Sequence, residues 1–254
     1  MKRRKIICAH GANAEQAAGE AFGPLVEAAC NLPFGVIVAA IAGGRSTAPL
    51  WEVMAEASRA QDPDWRQLLE DLVFRPLDER IVAPENHDYN FNDLRCRLFD
   101  RLELRSDQVR WFEPQPDLPD GGVDLYNAEF TGSGGKVDIV IAAVGPRNAG
   151  AGHYGSVFAD TLAAIGMQTG YVAVQTKDKQ PPRRMTLGPA ACSKAPIVVL
   201  VVSGGREDIL ADFAREGDPA ECPARTLKDA DDDVVDPVLI VMTWVSKEAL
   251  PVLE

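Results

Sequence analysis

The chain has 254 residues, enough for one large domain or two small ones, and its hydrophobic content of 46% supplies a sizeable core. A formal net charge of −12 argues against nucleic acid or an anionic membrane as partner, because both are bound through basic surfaces. Five scattered cysteines without a CxxC pair and three widely spaced histidines argue against a disulfide framework and show no metal-ligand cluster.

In chain order, the basic start Met1-Lys2-Arg3-Arg4-Lys5 precedes only Ile6-Ile7-Cys8-Ala9 before His10. That is too short for a signal-peptide core and reads as a basic lead-in to a strand. No run approaches the about 20 apolar residues of a membrane span, so a cytoplasmic location is the expectation. Ala12–Cys30 is alanine-rich with interspersed Glu15, Glu20 and Glu27 and predicts an amphipathic helix, kinked or split by Pro24. Phe34–Ala42 predicts a buried strand, ending on Gly43-Gly44-Arg45-Ser46-Thr47, with a helix following from Ala48 to Ser58. Glycines after a strand let backbone approach a ligand closely, and helix-start amides, hydroxyls and an arginine offer a phosphate several donors. A plain turn capped by Ser46 or Thr47 fits the same residues.

Arg59–Asp64 reads as a polar connection, and Leu72–Leu77 as a short strand running into Asp78-Glu79-Arg80, a charged strand end. A helix is expected over Phe91–Leu102, a strand over Gln108–Phe112, and loop over Pro114–Gly122. Thr131-Gly132-Ser133-Gly134-Gly135-Lys136 is a tight turn and not a Walker loop, because the glycine spacing is wrong and no Ser or Thr follows the lysine. Val137–Val144 is a continuous apolar run broken only by Asp138, the pattern of a strand buried on both faces. It gives way to small residues through Gly152 and then presents His153. A buried strand running into a glycine-rich loop with a titratable side chain is where open α/β sheets place ligands. A helix over Val157–Ile165 and a strand over Tyr171–Gln175 follow, then the basic, proline-stiffened Lys177–Arg184. Ile197–Val202 is another buried strand, ending at Ser203-Gly204-Gly205-Arg206 before a helix over Glu207–Arg215. Glu216–Asp233 reads as a mobile acidic loop, Val238–Trp244 as the last strand and Lys247–Leu253 as a terminal helix. Strands alternating with helices imply an α/β fold with a doubly wound, mostly parallel sheet and helices on both faces. With no internal repeat or linker, residues 1–254 are expected to form a single domain.

The order of these loops resembles one family. Gly43-Gly44-Arg45-Ser46-Thr47-Ala48-Pro49-Leu50-Trp51 looks like the GGSTPxPLY loop of the 6-phosphogluconolactonase / glucosamine-6-phosphate isomerase family. Asp78-Glu79-Arg80-Ile81-Val82, with His87 and Asn90, resembles its DER segment; Gly152-His153-Tyr154-Gly155-Ser156-Val157-Phe158 is similar to GHTASLF; Pro181–Leu187 resembles PPxRITL. Ser203-Gly204 and Met242-Thr243-Trp244 complete a likeness over roughly residues 34–250.

The resemblance implies a modified Rossmann-like, cytosolic enzyme acting on a small-molecule sugar phosphate without metal or organic cofactor, as a monomer or small homo-oligomer. It implies that Gly43, Gly44, Arg45, Ser46 and Thr47 cradle a phosphate, with Arg184 and Arg206 as further cationic contacts. His153 would be the acid–base residue activating water against a lactone carbonyl, Arg80 would line the pocket, and Asp78 matches the proton-abstracting acid of the deaminase branch. A neutral imidazole can take a proton near pH 7, and arginine pairs with phosphate through two hydrogen bonds. Phe158 stands where the deaminases carry a glutamate and cannot transfer a proton, which favours the lactonase branch. The pattern departs at several points: Ala151 replaces an aspartate, Arg147, Asn148, Ala149 and Gly150 are additional, Tyr89-Asn90 stands for the SN pair, Ser46-Thr47 for TP, and Glu207 for the lysine after TG, with Arg206 one position early. Three functions therefore compete: a lactone hydrolase of the pentose phosphate pathway, an isomerase or deaminase using Asp78, and a sugar-phosphate-binding protein without catalysis.

Overall fold

A computed structural model of the chain describes residues 1–33, 35–146, 152–166, 168–177, 179–251 and 253. Six parallel strands form its central sheet: β2 (Lys5–His10), β3 (Ile37–Ile41), β4 (Leu72–Pro76), β6 (Ile139–Ala143), β9 (Ile197–Val202) and β11 (Val238–Thr243). Their spatial order is β2-β11-β9-β6-β3-β4, and every neighbouring pair is parallel. The central strands are those with unbroken aliphatic sequence; all six residues of β9 are buried, as both faces of the sheet are covered.

One face is packed by α1 (Ala14–Cys30), α2 (Ala48–Arg59), α3 (Pro63–Asp71) and α4 (Asn90–Arg97) through Leu25, Trp51, Trp65 and Leu94. The other carries α5 (Val123–Gly132), α6 (Ala159–Ile165), α7 (Pro189–Lys194) and α8 (Glu207–Ala214) through Phe130, Ile165, Cys192 and Phe213. Both the α/β class and the parallel sheet agree with the sequence reading.

The differences have physical causes. Pro24 does not split α1, which runs unbroken from Ala14 to Cys30. The preceding residue is Gly23, which has no Cβ to clash with the proline ring, and burial of Ala21, Leu25 and Val26 holds the helix across the missing N–H. Asp78–Arg80 is not a turn: as β5 it joins β8 (Arg183–Leu187) and β7 (Tyr171–Gln175) in a separate antiparallel sheet, ordered β5-β8-β7. Helix α3 was unforeseen although Asp62 caps it, accepting from Trp65 N–H at 2.9 Å, with Pro63 at its first turn. Helices α5 and α7 were unforeseen too, and the expected strand at 108–112 is a single bridge from Val109 to Phe74. The terminal helix shrinks to one 3-10 turn, Lys247–Ala249, because Pro251 holds Leu250 extended (ψ 115°).

The acidic stretch after α8 is packed rather than loose. Cys222, Ala224 and Leu227 are buried in a 3-10 turn over Pro223–Leu227, and β10 (Asp229–Ala230) pairs antiparallel with β1 (Lys2–Arg3). Arg225 donates to the carbonyls of Asp212 and Asp218, while buried Arg4 donates to those of Leu227, Ala195, Cys192 and Ser193. Arginines satisfying several backbone carbonyls hold a segment whose composition alone reads as solvated.

Candidate active site

Adjacent strands β3 and β6 send their chains to opposite faces: β3 leads to α2, β6 to α6. The carboxyl ends of two such strands leave a crevice between the outgoing connections, the topological switch point where doubly wound sheets bind ligands. Four segments meet there: residues 43–47 after β3, β5 following β4, residues 145–146 and 152–158 after β6, and residues 203–206 after β9.

The first loop is shaped by close approach. A Cβ on Gly43 would lie 2.6 Å from the Asn90 side chain, and Gly44 takes φ +104°, which a side chain disfavours. Thr47 is fully buried, its hydroxyl donating to the Gly44 carbonyl at 3.0 Å, so its side chain closes the loop. Ser46 is half-buried and Arg45 exposed.

Beside this loop lies a buried polar network. The Asp78 carboxylate accepts from the Ser156 hydroxyl at 2.8 Å, and the Asn90 amide donates to the Asp78 carbonyl at 3.3 Å. Neighbouring Glu79 is fully buried and accepts four bonds, from the N–H groups of Arg80, Asn90 and Phe91 and from Trp111 Nε1, at 2.8–3.0 Å. Burial pushes its carboxyl up to about 7, against the pull of those donors and with the nearby Asp78 charge adding to the rise. Glu79 thereby pins the start of α4, and Asn90 with it, against β5.

Three cations gather next to these carboxylates. Arg80 faces Arg184 across the β5–β8 ladder. Arg184 is buried and anchored by donation to the carbonyls of Pro181 (3.0 Å) and Gln180 (3.1 Å). Burial lowers its pKa; Asp78 opposes that and Arg80 adds to it. Lys179 is lowered by burial, then by Arg184 and Arg80. Among the described residues none of the three forms an ion pair, and Arg80 Nε is buried without a hydrogen-bond partner.

The Phe158 ring ties this group to the histidine. His153 packs on it with centroids 4.5 Å apart, while Lys179 Nζ and Arg184 Cζ stand 5.6 and 5.9 Å from its centroid. His153 is half-buried; its carbonyl accepts from Gly145 N–H at 2.7 Å, and a Cβ on Gly145 would fall inside the imidazole. Arg206, from the end of β9, donates to the Val144 carbonyl and braces the end of β6, and burial lowers its pKa.

Of the residues singled out from sequence, the structure brings Asp78, Arg80, His153 and Arg184 together, with Gly43 reaching the group through Asn90. Arg206 lies behind the His153 loop, and His87 stands in solvent with 92% of its side chain exposed. Ala151, Arg147 and Asn148 lie outside the described residues. Sequence reasoning did not single out Lys179, Ser156 or Glu79 for a site. Lys179 was visible only as one charge in a basic run, and Glu79 as the middle of a charged triplet. No group of three or more His, Cys, Asp or Glu among the described residues could hold a metal ion, and no helix among them is long and apolar enough to cross a membrane.

Fold and cleft define a doubly wound α/β protein with an anion-suited crevice at its switch point. Residues 12–235 match the profile of the Glucosamine-6-phosphate isomerases/6-phosphogluconolactonase family, and the chain belongs to that family. It is 28% identical over 158 residues to the 6-phosphogluconolactonase of Mycobacterium tuberculosis, covering 58% of this chain and 62% of that relative. The 6-phosphogluconolactonase of Mycobacterium leprae is 30% identical over 183 residues, covering 66% of this chain and 69% of the relative. Among solved structures, a 6-phosphogluconolactonase from Shewanella baltica superposes with a TM-score of 0.77 at 16% identity, covering 97% of this chain and 100% of the other. That from Trypanosoma brucei gives 0.72 at 19%, covering 97% and 98%. At such identities the structural likeness is one of fold.

Proposed function

We propose that this chain hydrolyses 6-phosphogluconolactone, or a closely similar sugar-phosphate lactone, to the open-chain acid. The observation that supports this reading is the Phe158 ring, against which His153, Lys179 and Arg184 all pack. A general base beside cations without ion-pair partners suits an anionic substrate with a neutral electrophile. In this mechanism the His153 imidazole takes a proton from water as the water oxygen attacks the lactone carbonyl carbon. The ring C–O bond then breaks, the departing alkoxide takes the proton from the imidazolium, and the carboxylic acid so formed gives its remaining proton to solvent and leaves as a carboxylate. No electrons are exchanged with a cofactor in this sequence. Arg184, Arg80 and Lys179 would hold the anionic substrate, with the Gly43–Thr47 loop, including Arg45 and Ser46, lining the phosphate end; a guanidinium can grip phosphate with two bonds.

The deaminase alternative is less well supported. Its base, Asp78, already accepts a hydrogen bond from Ser156, and the position of the second proton-transferring group is Phe158. The test compares wild type with His153→Ala for lactone hydrolysis above the spontaneous rate and for 6-phosphogluconate binding. Loss of roughly 10²–10⁴ in rate with binding retained is expected. Equal hydrolysis by both proteins would remove His153 from the mechanism and leave a non-catalytic binding protein.

A further inference from the structure

At the amino-terminal end of the sheet, away from the cleft, a surface cavity of about 300 Å³ is lined by Arg59, Arg66, Arg101 and Arg105. It lies where α3 turns into β4, so the length of β4 alone, about 17 Å at five residues, separates it from the crevice. Helix α2 spans the same interval: it begins at the Gly43–Thr47 loop and its last residue, Arg59, lines the cavity.

The cavity has a fixed frame. Gln108 is buried and donates to the carbonyls of Leu69 and Leu72, while its oxygen accepts from Arg105 N–H at 2.9 Å. Ser58, which lines the cavity, accepts at its hydroxyl from Trp65 Nε1 at 2.7 Å, so the indole backs the lining without forming it. Gln61, at φ +56°, terminates α2 in the left-handed conformation where glycine is the cheaper residue, and its side chain lines the cavity.

Charge is the unusual feature. A chain of net charge −12 places four guanidinium groups around one small cavity, where the only lining carboxylates are Glu70 and Glu103. The lining therefore carries two net positive charges. Carboxylates outside the lining steady three of the arginines: Glu56 with Arg59, Glu52 with Arg101 and Asp107 with Arg105. Arg66 has no ion pair among the described residues.

We propose that this cavity is a second anion-binding site, independent of the cleft, that takes a compact phosphate-bearing dianion. A guanidinium grips phosphate oxygens with two parallel hydrogen bonds, and Arg66, without an ion pair among the described residues, is the cation that a phosphate would meet uncompensated.

Two indoles make the test specific. Trp65 is bonded to Ser58 at the cavity, and Trp111 to Glu79 beside the cleft. The ¹⁵N-labelled full chain is titrated with inorganic phosphate, slightly above neutral pH where the dianion dominates and at constant ionic strength, with the indole signals assigned from Trp65→Phe and Trp111→Phe. A saturable shift of the Trp65 signal is expected. In an Arg59→Glu/Arg66→Glu variant, whose exposed positions leave the fold intact, its midpoint should weaken by about a hundredfold or more, because each of the two lost charged hydrogen bonds is worth about tenfold or more. The Trp111 response should be the same in both proteins. A Trp65 signal that does not move, or that moves with the same midpoint in the double variant, overturns the proposal.

Discussion

Gly145→Ala should abolish base catalysis while leaving the protein folded and able to bind product. The added methyl would fall inside the His153 imidazole, so the ring must retreat to ordinary carbon contact, a movement of about 2 Å or more. Phe158 already packs against the ring at 4.5 Å, which restricts the retreat to directions away from its present place. A displacement of about 1 Å can cost about 10²-fold in rate, and a positioned base contributes about 10²–10⁴-fold, so the variant should fall to the level of His153→Ala, a loss of about 3–5 kcal/mol in transition-state stabilisation. Gly145 does not have a positive φ, so alanine fits the backbone, and the side-chain displacement is partly offset by the about 0.4–1 kcal/mol that Gly→Ala gains through the unfolded chain. The assay is lactone hydrolysis with the spontaneous rate subtracted, beside calorimetric binding of 6-phosphogluconate and a thermal melt. The double variant Gly145→Ala/His153→Ala should be no slower than His153→Ala alone, because both changes remove one contribution. Wild-type hydrolysis by Gly145→Ala would refute the reasoning, as would a further loss in the double variant.

Arg184→Ala should weaken 6-phosphogluconate binding by roughly 10–100-fold, the worth of one charged hydrogen bond or a little more, as read by calorimetry; unchanged affinity would place the anion elsewhere. Glucosamine 6-phosphate should yield no ammonia, since Phe158 holds the position of the deaminase glutamate, and release abolished by Asp78→Asn would reverse that assignment. Glu79, raised from 4.5 to about 7 in the folded protein, binds more protons folded than unfolded between those values, so its contribution favours folding at low pH and is lost as pH rises towards 7. Relative to Glu79→Gln, wild-type stability in urea should therefore fall by up to about 3 kcal/mol from pH 4.5 to 7, and a flat difference would show that the four donors already hold the carboxyl near its ordinary value.

Much of the fold was legible because its parallel strands are nearly pure aliphatic runs: Ile197–Val202 can be little else than a strand covered on both sides. Short amphipathic elements were harder. The apolar residues of α3 are spread over barely two turns, and only the Asp62-Pro63 cap marks its start. The second sheet escaped notice because β5 is three charged residues, Asp78-Glu79-Arg80, whose burial depends on partners about 100 positions away. The site divides along the same line. His153 follows a buried strand and a glycine-rich loop and could be named from local pattern, whereas Asp78 and Arg184 were named only through the family resemblance. Lys179 and Ser156 gain their meaning from contacts across the chain, Ser156 with Asp78 and Lys179 with Phe158, that no spacing rule contains.

The same long-range placement explains how an acidic protein can attract an anion. The net charge of −12 acts over the whole surface, but beyond a Debye length of about 8 Å at physiological salt it is largely screened. Within the crevice the nearest charges decide, and these are Arg80, Lys179 and Arg184 against Asp78 and Glu79. Their mutual repulsion shows in the lowered pKa values of Lys179 and Arg184, to which burial contributes most. Folding therefore holds these cations partly desolvated and close together, a cost that an arriving phosphate or carboxylate relieves. Since Glu79 spends its four acceptor sites on backbone and indole donors, it steadies the wall without neutralising the cations, and Asp78 is occupied in part by Ser156. Three cations, Arg80, Lys179 and Arg184, against two carboxylates, Asp78 and Glu79, leave an excess of positive charge, which favours the anionic substrate proposed for the cleft.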